Sequence, residues 1–91
     1  VTQKRVAIAG SSGSIGVQTI DVVLAEPDKY VVSALAVGSS ADIVIQQARQ
    51  LRPELVVVAN DECRAQVAQA LPGVTVTGTL SDVVDVADVV I

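Results

Sequence analysis

Strand-like runs that alternate with helical patterns, continuous apolar character within those runs, and a glycine-rich turn after the first of them predict an α/β fold built on a doubly wound parallel sheet. Parallel neighbours need a crossover, which the helical patterns supply, and parallel strands buried on both faces read as apolar throughout. The alternation runs through all 91 residues without a low-complexity segment or linker, so residues 1–91 form one domain unit.

The first strand is Val6 to Ala9, ahead of the glycines. Past them, Val17, Ile20 and Leu24 recur at helical spacing until Glu26-Pro27-Asp28 breaks the helix. Tyr30 to Val37 is the second β-rich run, and Ser39-Ser40 then caps a helix with the apolar stripe Val44, Ala48 and Leu51, stopped at Arg52-Pro53. Leu55 to Ala59 is a continuous apolar strand. The helix after it carries Cys63, Val67 and Leu71 on one face and ends at Pro72-Gly73. Val74 to Thr77 is a weaker, alternating strand, Thr79 with Asp82 has the form of a capping box, and Leu80, Val83 and Ala87 form a short helical stripe before Val89-Val90-Ile91. The chain stops in or just after this fifth strand, as the N-terminal part of a longer protein would.

Composition narrows the function classes. A 51% hydrophobic content with 18% charge argues against disorder, and a net charge of -4 with scattered Lys4, Arg5, Lys29, Arg49, Arg52 and Arg64 leaves no basic stripe for a nucleic-acid backbone. Cys63 is the single cysteine and there is no histidine, which excludes an intrachain disulfide and a zinc site built from this chain. No apolar run approaches the roughly 18 residues of a membrane span. The N-terminus VTQKRVAIAG lacks the apolar core and cleavage site of a signal peptide. A cytoplasmic protein with neither a nucleic-acid nor a membrane partner is expected.

The stretch AIAGSSGSIGVQTIDVV carries the chemistry. Gly10 allows the tight turn off the first strand, Gly13 lets a pyrophosphate approach the backbone, and Gly16 lets the helix pack close to the strand. The helix begins near Ser14. Its first amides lack intrahelical partners and its dipole is positive at that end, so an anion is stabilised there, and the hydroxyls of Ser11, Ser12 and Ser14 add donors. Val17 follows Gly16 where a P-loop would have lysine, which excludes an ATPase or GTPase loop. The spacing G-x-x-G-x-x-G differs from the usual dinucleotide fingerprint, and its position between strand and helix is what gives it weight. Glycines that serve only a tight turn are the alternative.

NAD-type sites place an Asp or Glu about 20 residues past the loop, but here the second strand ends in Ala36-Val37-Gly38-Ser39-Ser40. No carboxylate stands there to repel a 2′-phosphate. Ser39 and Ser40, with the free amides of the second helix, suit that phosphate and favour NADP(H) over NAD(H), although the same serines can serve as caps alone. Asp42 in the first turn suits the dipole but would repel a nearby phosphate, so it is expected to point to solvent. Asp82, Asp85 and Asp88 read as a solvated face before a metal cluster, Cys63 as a core position, and Tyr30 as packing at a strand start.

The residues GSSGSIG, TIDVV, EPDKY, VVSALAVGSS, RPELVVVANDE and ADVVI resemble the NADPH-binding domain of the 1-deoxy-D-xylulose 5-phosphate reductoisomerase family across essentially the whole chain. Ser12 stands where that loop usually has threonine, and Ser40 where the family commonly has asparagine. The resemblance implies a Rossmann-like fold in which Ser12, Gly13, Ser14 and Ile15 line the pyrophosphate, Gly38, Ser39 and Ser40 hold the 2′-phosphate end, and Ala59 to Glu62 lie near the adenine. It further implies an NADPH-dependent oxidoreductase of non-mevalonate isoprenoid precursor synthesis. Such an enzyme isomerises and reduces 1-deoxy-D-xylulose 5-phosphate to 2-C-methyl-D-erythritol 4-phosphate. Its phosphosugar pocket, its ligands for Mg²⁺ or Mn²⁺ and its homodimer contacts would lie beyond Ile91, so no catalytic residue and no metal ligand is expected in this chain. Two alternatives remain from the residues: the cofactor domain of a semialdehyde or acyl-phosphate dehydrogenase, which a downstream nucleophilic cysteine would mark, and a non-catalytic NADP(H)-sensing module.

Overall fold

The computed structural model describes residues 3–91. Along the chain run β1 (Lys4–Ala9), α1 (Ser14–Ala25), β2 (Tyr30–Val37), α2 (Ala41–Leu51), β3 (Leu55–Val58), α3 (Asp61–Ala70), β4 (Thr75–Thr77), a 3₁₀ segment (Leu80–Val86) and β5 (Val89–Val90). The strands form one parallel sheet in the order β4-β3-β2-β1-β5. The chain steps outward from β1 to β4 and then returns to the other side of β1. This reversal is the topological switch point at which doubly wound sheets bind ligands, at the carboxyl ends of the strands.

The two faces are filled differently. Ile20 and Val23 of α1, Val44, Ile45 and Ala48 of α2, and Val67 of α3 pack with Val6, Ile8, Leu35, Val56 and Val58 on one face. On the other, Ala7, Ala34, Ala36, Leu55 and Val57 meet Val83 of the 3₁₀ segment. Alanines on that face let one short 3₁₀ segment come close, so cover on the second face is thin and Val84 stays 65% exposed.

A bulge makes this partition possible. Val6 pairs with Val32 but Ala7 with Ala34, which leaves Ser33 as the extra residue of β2. Strand side chains alternate between faces, so one inserted residue reverses the phase. Tyr30 and Val32 therefore share a face with Leu35 and Val37, while Ala34 and Ala36 take the other. Ser33 itself is buried, and its carbonyl accepts from the Glu54 amide at 3.0 Å.

Four local expectations need correction. The buried stripe of α1 is Gly16, Ile20 and Val23, whereas Val17 and Leu24 are 44% and 42% exposed. The rotation of α1 is set by Gly16, which must face the Gly10–Ser11 backbone, and Ile20 and Val23 follow it at helical spacing. Thr79 and Asp82 form no capping box: Thr79 makes no side-chain cap bond, and the segment is 3₁₀ throughout. Ser40 occupies the N-cap position of α2 without a side-chain cap bond. Asp88 lies outside the 3₁₀ segment that holds Asp82 and Asp85, in an ion pair with Arg5. No helix among the described residues is long and apolar enough to cross a membrane.

Candidate dinucleotide site

The loops at the carboxyl ends of β1, β2 and β3 are stitched into one ledge. The amides of Gly10 and Ser11 both donate to the Ala36 carbonyl, at 2.8 and 3.1 Å, the Ala59 amide donates to Val37, and the Asn60 amide to Gly38 at 2.9 Å. The glycine loop, Gly38–Ser40 and Ala59–Asn60 thus meet along one edge. Beside them opens a cleft of ≈ 230 Å³ bounded by Ala9, Gly10, Ala36, Gly38, Ala59 and Gly78.

Each glycine of the loop has its own reason to be there. Gly10 adopts φ +72°, a left-handed conformation that side chains disfavour. A Cβ on Gly16 would stand 2.5 Å from the Gly10 carbonyl oxygen and 2.7 Å from the Ser11 Cα, so only glycine lets α1 start this close to β1. Gly13 is different. Its φ of -80° suits any residue, and a Cβ there would meet only the Gly10 carbonyl at 3.4 Å. The fold does not need a glycine at this position, whereas a group lying against the loop would.

Three helix N-termini reach this edge, and they differ in charge. The first bond of α1 is donated by Val17 to the Gly13 carbonyl, which leaves the amides ahead of it without helical partners. Its first turn holds no acid and no side chain caps it. By contrast, Asn60 caps α3 by accepting from the Cys63 amide at 3.1 Å, and Asp61 and Glu62 fill its first turn. The dipole of α3 is answered within the chain, and that of α1 is left for an external anion.

Around α2, Ser39, Ser40, Asp42, Cys63 and Gln66 border a second hollow of ≈ 360 Å³. The Ser40 hydroxyl, free of capping, is available to a ligand. Asp42 is exposed, but it does not simply face bulk solvent: its carboxylate accepts from the Gln66 amide nitrogen at 3.4 Å, inside the same hollow.

Ser12 is half-buried at the loop, and Gly13, Ser14, Ile15, Gly38 and Ser39 are exposed on the ledge, as a binding role asks. Ser11 departs from expectation: it is fully buried, so its hydroxyl is closed to a ligand and its contribution is structural. Two residues at this edge carry no sequence signal. Arg64 donates to the carbonyls of Val58 at 2.9 Å and Ala59 at 3.1 Å and pairs with Asp61 at 2.8 Å, closing the end of β3. Gln47 of α2 donates to the Ser11 carbonyl at 2.8 Å, across 36 positions of sequence. Among the described residues no group of three or more His, Cys, Asp or Glu is placed to hold a metal ion.

Residues 6–90 match the family described as 1-deoxy-D-xylulose 5-phosphate reductoisomerase. Among proteins of that description, the one from Porphyromonas gingivalis is 45% identical over 69 residues and the one from Geotalea uraniireducens 46% over 70. These alignments cover 76% and 77% of this chain and 18% of each relative, so the chain spans under a fifth of their length. In fold, it resembles the Zymomonas mobilis 1-deoxy-D-xylulose 5-phosphate reductoisomerase in complex with NADPH at TM-score 0.85 and 23% identity, over 98% of this chain and 25% of that one. A DOX-P reductoisomerase solved with fosmidomycin and magnesium also superposes at 0.85, with 22% identity over 96% and 24% of the two chains.

Proposed function

The chain belongs to the 1-deoxy-D-xylulose 5-phosphate reductoisomerase family, and from that premise we propose that it is the NADPH-binding part of such an enzyme. The observation that carries the reading is Gly13, a glycine that neither backbone angle nor packing requires, set beside the open N-terminus of α1. A diphosphate lying on that turn needs the absent side chain for approach and the free amides for charge.

The residues fit the cofactor from end to end. Gly10 and Gly16 fix the turn, the amides that open α1 receive the diphosphate, and the hydroxyls of Ser12 and Ser14 reach the same space. Gly38, Ser39 and Ser40 form the 2′-phosphate end, with no carboxylate at the end of β2 to accept from ribose hydroxyls. Ala59 to Glu62 border the adenine. Bound there, NADPH supplies a hydride to a phosphosugar, 1-deoxy-D-xylulose 5-phosphate after its rearrangement, giving 2-C-methyl-D-erythritol 4-phosphate for isoprenoid precursors. In this reading the carboxylates for a divalent metal, Mg²⁺ or Mn²⁺, the sugar-phosphate pocket and the homodimer contacts would be supplied by the remainder of the enzyme. A cytoplasmic setting is part of the same proposal, in keeping with a single cysteine.

Calorimetric titration with NADPH and NADH tests the reading. The expected result is saturable binding at one site with NADPH preferred; absence of heat with either nucleotide in a folded sample contradicts it.

A further inference from the structure

Ser11 is gripped from two sides. A Cβ on Gly16 would stand 2.8 Å from its carbonyl oxygen, which places α1 against one side of the peptide, and the Gln47 amide nitrogen of α2 donates to the same oxygen at 2.8 Å. The Ser11 amide is fixed to Ala36 of β2. Three elements therefore converge on one residue, two positions before Gly13.

The Ser11 hydroxyl and the Gln47 amide oxygen are both buried without a hydrogen-bond partner. The hydroxyl is a donor in want of an acceptor and the amide oxygen an acceptor in want of a donor. Each buried orphan carries a desolvation cost, and both are left over on the two residues already joined by one hydrogen bond. A movement of the loop that brings the hydroxyl onto the amide oxygen would satisfy both. Turning the amide over would set its oxygen against the Ser11 carbonyl, so the orientation is fixed by that first contact.

We propose that Gln47 is a positioning residue for the cofactor's diphosphate. Acting through Ser11, it sets the height of the glycine loop and gains a second hydrogen bond, from the Ser11 hydroxyl, when the loop closes on the anion. The proposal rests on the NADPH reading above. It adds that α2, which carries the 2′-phosphate end at its N-terminus, also governs the diphosphate end through a side chain near its middle.

The test uses the parent chain, Gln47→Leu, Ser11→Ala and the double variant. Affinity is measured by calorimetry for NADPH and for adenosine 2′-monophosphate, which lacks the diphosphate, and folding is followed by circular dichroism. Gln47→Leu is expected to bind NADPH roughly tenfold more weakly, the loss of one to two net hydrogen bonds, with affinity for adenosine 2′-monophosphate unchanged. Ser11→Ala should weaken NADPH binding less, and its effect should vanish in the Gln47→Leu background. Equal NADPH affinity in a folded Gln47→Leu variant overturns the proposal, as does a parallel loss of both ligands. If Gln47→Leu does not fold, Ser11→Ala decides, and unchanged NADPH affinity there overturns it. A parent chain that binds no NADPH removes the underlying reading and the proposal with it, an outcome distinct from a parent that binds and a variant that binds equally.

Discussion

The guanidinium of Arg64 lies where a side chain on Gly78 would have to stand: a Cβ built on Gly78 collides with its Nη2 and Cζ. Arg64 reaches across from α3 to hold the carbonyls of Val58 and Ala59, and Gly78, just past β4, is the gap that admits it. Of the six basic residues, Arg64 alone sits at the carboxyl edge of the sheet. The others lie at the start of β1, before β2, or in and after the last turn of α2.

Gly78→Ala should therefore act through Arg64. The arginine is flexible at its far end and will move, giving up bonds to two carbonyls, and a loss of about 1 kcal/mol is expected because its side chain remains partly in water. Arg64→Ala should cost a similar amount. In the Arg64→Ala background the Gly78→Ala change should be close to neutral, which denaturant unfolding of the four proteins checks; additive losses would separate the two residues.

Gly16→Ala meets backbone, which cannot step aside. With contacts of 2.5 to 2.8 Å to Gly10 and Ser11, α1 must shift off β1. A loss of about 3 kcal/mol is expected, a large share of the stability of a small domain. Gly13→Ala, with one contact at 3.4 Å, should leave the unfolding midpoint nearly unchanged.

Asp88 fastens β5 to the start of β1 and should do so only above acid pH. Its carboxylate accepts from the Arg5 amide at 2.9 Å and from the Arg5 guanidinium at 3.3 Å. The backbone bond first, and then the guanidinium, lower its pKa below the usual aspartate value. A depressed folded-state pKa contributes stability above the unfolded value and loses it as pH falls through the folded one. Chemical shifts of the Arg5 amide should titrate with a midpoint below that of an ordinary aspartate, and Asp88→Asn should abolish the step.

Much of this molecule was legible in its sequence because periodicity and glycine spacing are local. The strands, the three α-helices and the exposed glycine loop follow from them. What escaped depends on distant partners. The burial stripe of α1 is set by Gly16 against Ser11, which periodicity alone places one position away. The Ser33 bulge shows only once β1 is laid beside β2. Gln47 and Arg64 look like ordinary polar residues of amphipathic helices until the fold brings Ser11 and Gly78 beneath them. The short segment Leu80–Val86 follows the spacing of an α-helix but winds as 3₁₀ over a face of alanines.

Cofactor preference should sit at Ser39. A carboxylate about 4 Å from the 2′-phosphate repels it by roughly 4 kcal/mol per charge at an effective dielectric near 20, before screening. Ser39→Asp should lose NADPH affinity and keep or gain NADH affinity, through its acceptance from free ribose hydroxyls. Asp42→Asn should strengthen NADPH binding, since Asp42 is held by Gln66 in the same hollow. The ratio of the two dissociation constants at fixed salt decides; a ratio unmoved by Ser39→Asp removes Ser39 from the site.

The central claim is that the glycine loop receives the diphosphate of NADPH, and Gly13→Val tests it most directly. The backbone angles of Gly13 suit valine, so the variant should fold with the circular dichroism spectrum of the parent. Its side chain would occupy the space where a diphosphate approaches the amides of α1. In calorimetric titration the parent should bind NADPH saturably, and the folded variant at least about tenfold more weakly, the cost of losing more than one charge-assisted hydrogen bond. Equal binding by a folded Gly13→Val variant would contradict the claim and leave the loop as a turn between a strand and a helix.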